Sequence, residues 1–561
     1  MTKQCQQCSK TFQITDSDQA FYQKIVVPAP TLCPDCRQQR RLTWCNEMIL
    51  YPGECQLCHK KILTIYKPNS PYVSYCRACW WSDKWDPLDY GSEIDLTKPF
   101  FPQLQALDQC IPHQATDVGG NNENSDYTNY AGDNKNCYLI FHADLNENCL
   151  YTYGLKQSKD TMDGYNNFNC ELCYNCIDCH DSYNLKWSQD CLNCSDSFML
   201  KDCVGCHDCF GSVGLRNQKY YWLNKQLTEV EYNHRLEAIN FGSHSQVQYW
   251  LEKIHQYQVT RFYKYQQSNK TEDCTGNNIY QSKNVLASYD CREVENSKFC
   301  SQLSMHVKDS YDYYQYGLNA ELIYDCTIVG GNCYNIKFCH QVFDGSSNME
   351  YCISSSGCKN CFGSVSLRQK EFCILNRSYA ASEYYELRTK LITAMQDRGE
   401  YGQYFPAVIS PFGYNETSAQ WWFPLTQSMA QAQGYHWQEQ LPSTVGQETM
   451  TILPDDIKEV NDDILTAILA CQNCRKNYKI TTHELEYYRA RIIPLPNICF
   501  YCRHLQRRFL RNPRQLWQRQ CMCTQIDHKH AGRCAVNFET TYSPDRKEIL
   551  YCEDCYQKEA V

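Results

Sequence analysis

Residues 176–210 read CIDCHDSYNLKWSQDCLNCSDSFMLKDCVGCHDCF, with the CxxC pairs Cys176/Cys179, Cys191/Cys194 and Cys206/Cys209 spaced fifteen residues apart. Such a run has two chemical readings. A C-x2-C-x11-C-x2-C array can wrap a zinc ion in four thiolates. Alternatively, the thiols are small apolar side chains lining a repeating core. The period continues through positions without cysteine. Each pair leads to a serine in CHDSYNL, CSDSFML and CFGSVGL; Tyr183, Phe198 and Val213 then align, followed by Leu185, Leu200 and Leu215. The pattern predicts a parallel β-solenoid with one coil per fifteen residues and equivalent side chains stacked in ladders. Elsewhere (NCYLIF, NCLYTYG, NCYNIKFC, MEYCISSSGC) the same residue mix recurs at drifting spacing, so irregular coils are expected, with mostly structural thiols.

The chain has 561 residues, a length that suggests three or four domains. Forty cysteines and 44 tyrosines imply thiol-rich, aromatic cores. MTKQCQQCSKTF has no apolar leader and no run is long enough to span a bilayer, so a cytoplasmic chain without membrane attachment is expected. Thiols in a reducing compartment read as metal ligands or core before disulfides. The net charge of −9 argues against general nucleic-acid coating. The charge is uneven, because residues 471–520 hold eleven Lys/Arg against two Glu.

Three duplications organise the chain. CQQCSKTFQITDSDQAFYQKIVVPAPTLCPDCR (5–37) recurs without a gap at 471–503, both as C-x2-C-x24-C-x2-C. Residues 45–80 recur at 521–556, where Cys45, Cys58, Cys76 and Cys79 align with Cys521, Cys534, Cys552 and Cys555. CHDCFGSVGLRNQKYYWLNK (206–225) recurs as CKNCFGSVSLRQKEFCILNR (358–377). Each copy of this last repeat runs into a helical stretch, the first opened by a Thr228/Glu231 capping box. The predicted plan is zinc module A (1–44), module B (45–90), a solenoid block (110–227), a helical segment (228–265), a second solenoid block (266–380), a helical, aromatic connector (381–465), then second copies of module A (466–515) and module B (516–561). The connector is expected to pack on the middle as loops and short helices. The fold class is thus mixed and β-rich: an irregular parallel β-solenoid-like middle with helical insertions, flanked by small zinc-ribbon or treble-clef modules at both ends.

A 33-residue module has too little core to fold unaided, and a zinc ion held by four thiolates supplies the missing free energy. The predicted ligands are Cys5, Cys8, Cys33 and Cys36; Cys55, Cys58, Cys76 and Cys79; and Cys471, Cys474, Cys499 and Cys502. For the last module they are Cys534, Cys552 and Cys555 with Cys521, Cys523, His528 or His530 completing the set. About four zinc ions are expected, and Cys45 is either spare or an alternative ligand.

CQQCSKTF, the following FY, then CPDCR and basic residues resemble a zinc-ribbon or treble-clef family of bacterial proteins with the pattern CxxC, an aromatic, FY and CPxCR. The resemblance covers about 40 residues at each end and implies zinc binding without naming a partner. The second copy departs from it at Phe500-Tyr501, which replace Pro34-Asp35. The middle resembles cysteine-rich proteins of small-genome bacteria that carry CxxCxxC runs and FG-x-V-x-LR-N segments; that resemblance implies no particular activity.

No GxSxG, P-loop, HExxH or dinucleotide fingerprint is present. A zinc-binding, non-catalytic binding or scaffold protein with a protein partner is the leading expectation. A second reading is nucleic-acid binding through 503–519, where Arg503, Arg507, Arg508, Arg511 and Arg514 contact phosphates and Phe509 and Trp517 stack on bases. A third is a metal-dependent or redox enzyme, with an open metal position at Cys523, His528 and His530.

Overall fold

The computed structural model describes residues 1–528 and 530–560. The chain folds as two compact units that each join sequence-distant pieces. The first unit comprises Met1–Thr116, Gln266–Leu441 and Arg514–Leu516; the second comprises Asp117–Tyr265, Pro442–Pro513 and Trp517–Val561. Each therefore pairs one set of terminal modules with the solenoid block farther away in sequence.

In the second unit the solenoid is parallel and its coil is twelve residues, not the fifteen inferred from the CxxC spacing. Glu123 bridges Lys135, Tyr138 bridges Leu150, Ile177 bridges Gln189 and Phe210 bridges Trp222. The strands Asn129–Gly132, Phe141–Asp144, Tyr153–Lys156 and Tyr165–Phe168 stack with this register. The physical unit is a triplet: a bridging residue, a corner in the left-handed region and an inward side chain. Corners recur every third residue, as at Asn166 (φ 53°), Asn169 (50°), Asn175 (51°), Asp178 (51°), Asp181 (49°) and Asn184 (52°). Asn and Asp tolerate that conformation better than other chiral residues. They also pair between coils, Asn166 Nδ2 donating to Asp178 Oδ1 at 2.6 Å and Asn184 Nδ2 to Asp196 Oδ1 at 2.7 Å.

The inward positions from 170 to 215 are all buried and all small or aliphatic: Cys, Ser or Leu. A fifteen-residue offset is five triplets, so it keeps every inward residue inward while moving it to the next side of the coil. This is why the offset aligned the sequence without being the coil length. Inward serines tie coils together, Ser182 Oγ donating to His180 O (2.8 Å) and accepting from Cys194 N (3.2 Å).

The first unit holds the second solenoid block, built on longer strands such as Ser288–Lys298, Ser301–Lys308, Tyr311–Gly317 and Glu321–Gly330. Its register runs at twelve (Tyr289 to Ser301), widens to thirteen after a bulge at Arg292/Val294, and returns to twelve at Met349 to Cys361. This is the expected irregularity. Both blocks end in a two-residue hairpin, Tyr221–Trp222 with Lys225–Gln226 and Cys373–Ile374 with Arg377–Ser378. A helix follows each. Glu229–Glu237 carries the predicted Thr228/Glu231 capping box, and Ala381–Asp397 has no side-chain cap. The helix pair Glu229–Glu237 and His244–Gln258 covers the end of its block, where Phe210 stacks on Trp222 at 4.1 Å and Trp250 meets both rings edge-on. Residues 401–441 pack as short helices and loops on both neighbours. Tyr404 Oη meets Thr327 of the solenoid (2.8 Å), and Tyr414 Oη accepts from Gln39 of module A (2.8 Å). Among the described residues no helix is long and apolar enough to cross a membrane.

Candidate metal centres

Module A is a hairpin and a helix with thiols on both. Strands Thr2–Gln4 and Thr11–Gln13 pair antiparallel and lead into the turn carrying Cys5 and Cys8. Ser9, at φ 59°, closes that turn by donating its N–H to Cys5 O. Helix Pro34–Leu42 starts at Cys33 with Pro at its first position and carries Cys36 in its first turn. Between them lies helix Asp16–Lys24, opened by a Thr15/Asp18 capping box. The copy at 471–503 repeats every part. Its turn has Arg475 at φ 64°, a Thr481/Glu484 capping box opens Thr482–Arg491, and Phe500–Leu510 starts at Cys499. Phe500-Tyr501 replace Pro34-Asp35, and the helix still starts at its ligand cysteine, Cys499 in place of Cys33, with the tetrad kept.

The structure gathers four tetrads whose sulfurs all lie within 4.8 Å of one another: Cys5/Cys8/Cys33/Cys36, Cys55/Cys58/Cys76/Cys79, Cys471/Cys474/Cys499/Cys502 and Cys521/Cys534/Cys552/Cys555. Cys8 and Cys33 sulfurs are 3.6 Å apart, and Cys474 and Cys499 are 3.7 Å apart. Burial alone would raise the Cys55 thiol, but N–H groups of Cys76, Cys58 and Leu57 outweigh it and bring it to about 6. Burial and the neighbouring thiols push Cys79 in the same tetrad up to about 12. One site thus favours a first thiolate and opposes the last, and a divalent cation removes that conflict. Four soft donors with no open position fit zinc in a structural role.

The last module corrects the sequence alignment. Strands Trp517–Gln520 and Asn537–Thr540 form the hairpin that Tyr51–Glu54 and Lys61–Thr64 form in the first copy. Cys55 N–H donates to Lys60 O, and Cys55 Sγ accepts from Cys76 N at 3.3 Å. Cys521 N–H donates to Val536 O, and Cys521 Sγ accepts from Cys552 N at 3.3 Å. Cys521 therefore stands in the place of Cys55, not of Cys45, and the second copy holds ten more residues between its first two ligands. Cys45 lies outside the tetrads, buried, with its thiol toward Arg41 O. Cys523, His528 and His530 are carried by the extra residues and converge with Cys555 in a second group, also within 4.8 Å, that shares Cys555 with the tetrad.

The solenoid thiols sit in a different environment. Cys176 Sγ faces the carbonyls of Tyr174 (3.4 Å) and Leu185 (3.5 Å), and Cys179 those of Ile177 and Ser188 (both 3.5 Å). Two carbonyl oxygens favour S–H over a thiolate, and burial pushes Cys179 and Cys191 well above the ordinary thiol range.

The five arginines singled out in the sequence occupy defined places. Arg503 and Arg507 contact Asp163 at 3.0 and 2.9 Å, Arg511 contacts Asp178 at 2.7 Å, and in the first unit Arg514 contacts Asp290 at 2.9 Å; all are nearly buried. Arg508 is half-buried beside Phe509, its guanidinium carbon 5.3 Å from the ring centroid. In the first unit Arg37 and Arg41, the equivalents of Arg503 and Arg507, contact Asp312 at 2.8 and 3.1 Å, and Arg41 also contacts Asp325 at 2.6 Å. All five aspartates are left-handed corners of solenoid coils. Reading the sequence in triplets would have marked them as outward-facing; reading it in fifteens did not. Arg216 and Arg368, the arginines of the duplicated LR segment, serve the B modules. Arg216 lies over Tyr556, and Arg368 lies over Trp80 and Trp85.

Fold and sites together define a β-solenoid protein with paired tetrathiolate modules. Residues 1–43 match the family model of a probable treble clef domain. None of the curated proteins matches the chain significantly. Among solved structures, the chain has a weak likeness to a putative acetyltransferase from Desulfovibrio desulfuricans G20, at 9% identity over 47% of this chain and 69% of that one. Its TM-score of 0.10 gives it no weight.

Proposed function

We propose that the protein is a non-catalytic binding scaffold, in which zinc ions fix the terminal modules and the modules brace the solenoid blocks that present a protein-binding surface. The observation that carries this reading is the closure of all four tetrads by thiols, with helix starts and turns set to hold them. The Cys523/His528/His530 group, which the enzyme reading would need as an open metal position, has Cys555 as a fourth protein donor. The buried arginine–aspartate pairs support bracing: each module A presents its two arginines to a solenoid corner in its own unit. Zinc and chelation test the reading. Removing the metal from the full chain is expected to expose the modules to limited proteolysis, and restoring zinc to reverse this. Hydrolytic or redox turnover that depends on the metal would overturn the non-catalytic reading.

A further inference from the structure

The ten extra residues of the last module have no counterpart in the first copy, yet they bring three metal-binding side chains to one point. Cys523 and His528 are buried although the loop around them exposes Ile526 almost fully. Cys523 Sγ lies 3.1 Å from His528 Nδ1, and His530 Nε2 lies 3.5 Å from Cys555 Sγ. The far nitrogen of each imidazole is held by an oxygen. His528 Nε2 is 3.2 Å from Glu559 Oε1, and His530 Nδ1 is 2.9 Å from the Gly532 carbonyl. An imidazole whose outer N–H donates to a carboxylate or carbonyl turns its other nitrogen's lone pair inward, the usual support of a metal-bound histidine. Cys555 belongs both to this group and to the tetrad of Cys521, Cys534 and Cys552.

We propose that the last module is a two-metal centre. One zinc ion is held by Cys521, Cys534, Cys552 and Cys555. The second is held by Cys523 Sγ, His528 Nδ1, His530 Nε2 and the same Cys555 Sγ, which bridges the pair. Charge favours the second ion. Five thiolates around a single divalent cation leave three negative charges in a buried site, whereas two cations leave one, and unpaired buried charge is expensive. Among the described residues the inserted loop is tied by Cys534 N–H to Cys523 O, His530 N–H to His528 O and Arg533 to the Cys521 and Gln520 carbonyls, and the second ion would add a tie from Cys523, His528 and His530 to Cys555.

This inference rests on the tetrad reading, and one experiment separates them. Metal is counted by elemental mass spectrometry on the full chain, reduced and zinc-loaded, beside the variant His528→Asn/His530→Asn. The expected counts are about five and about four, one ion per site of this kind. Equal counts would overturn the two-metal centre, while a variant count well below four would instead overturn the tetrads. Cobalt loading of the unsubstituted chain gives a second readout that does not depend on the variant folding. A fifth equivalent is expected to add a spectrum of mixed sulfur and nitrogen ligation to the all-sulfur one. Saturation at four equivalents with an all-sulfur spectrum would overturn the proposal.

Discussion

Arg503 Nε lies 3.0 Å from Asp163 Oδ1, with both side chains nearly excluded from water, and this pair joins a metal-site helix to a solenoid corner. Its counterpart 466 positions earlier, Arg37, reaches Asp312 in the same way. The chain therefore contains two copies of one device, each built from segments far apart in sequence. Burying a charge pair costs desolvation, but removing one partner leaves the other uncompensated. Replacing Asp163 with Ala takes the carboxylate from Arg507 and leaves Arg503 with Glu484 alone, at 3.7 Å. The expected loss is about 3–5 kcal/mol of stability in the second unit, read by urea denaturation. A loss under about 1 kcal/mol, the value of an exposed pair, would show that the pair does not brace the module.

Ladder and ligand cysteines should respond differently to the same chemical change. Cys191→Ser places a hydroxyl at an inward position of the kind that Ser182 and Ser188 fill on other sides of the coil, in the row where Cys191 stacks between Cys179 and Cys203. It should cost about 1 kcal/mol, the value of a modest core change, and leave the metal count intact. Cys36→Ser should remove one ion per chain. Elemental analysis and thermal melting of both variants decide the matter.

His340 provides a pH signature. Burial holds its imidazole down to about 3, and Nδ1 is 2.7 Å from Thr327 Oγ1. An ordinary histidine titrates near 6.5, so below that pH the unfolded chain takes up a proton that the folded chain refuses. Stability contributed by neutral His340 is complete above about pH 6.5 and is lost as pH falls toward 3, at about 1.4 kcal/mol per pH unit. The difference between the parent chain and His340→Asn at each pH isolates this slope from the shared loss of metal in acid. A pH-independent difference would contradict it.

The basic segment should not behave as a phosphate-binding helix. Exposed arginines at that density would give salt-sensitive binding to a mixed oligonucleotide pool at about 50 mM salt. With Arg503, Arg507, Arg511 and Arg514 on buried aspartates, no such binding is expected in a filter or anisotropy assay. Binding abolished by Arg503→Ala would contradict this.

Much of the molecule was legible before the structure. Gap-free repetition of C-x2-C-x24-C-x2-C marked the A modules, because ligand spacing is set by turn and helix geometry within one short segment. Thr228 and Glu231 marked a helix start for the same local reason. The coil length was not legible from CxxC, because the triplet makes every multiple of three look periodic. The better signal was the Asn or Asp that precedes many of the inward cysteines, as at Asn175-Cys176, Asp178-Cys179, Asp190-Cys191 and Asn193-Cys194, and marks the left-handed corner. The equivalence of Cys521 with Cys55 was hidden by the ten extra residues, and constant-offset alignment paired Cys521 with Cys45. The two-unit exchange was invisible, since it depends on contacts such as Arg503 with Asp163 across 340 positions.

The sorting of thiols into ligands and ladder is the central claim, and cysteine-resolved alkylation of the native, reduced chain tests it most directly. Labelling mapped by mass spectrometry before and after a brief chelator pulse should show tetrad thiols such as Cys36 and Cys502 becoming reactive. Cys176, Cys179, Cys191, Cys194, Cys206 and Cys209 should stay unlabelled for as long as the β-sheet circular dichroism signal persists. Release of those six to the reagent together with the metal, while that signal is intact, would mean that they are ligands and that the solenoid core is not a ladder of protonated thiols.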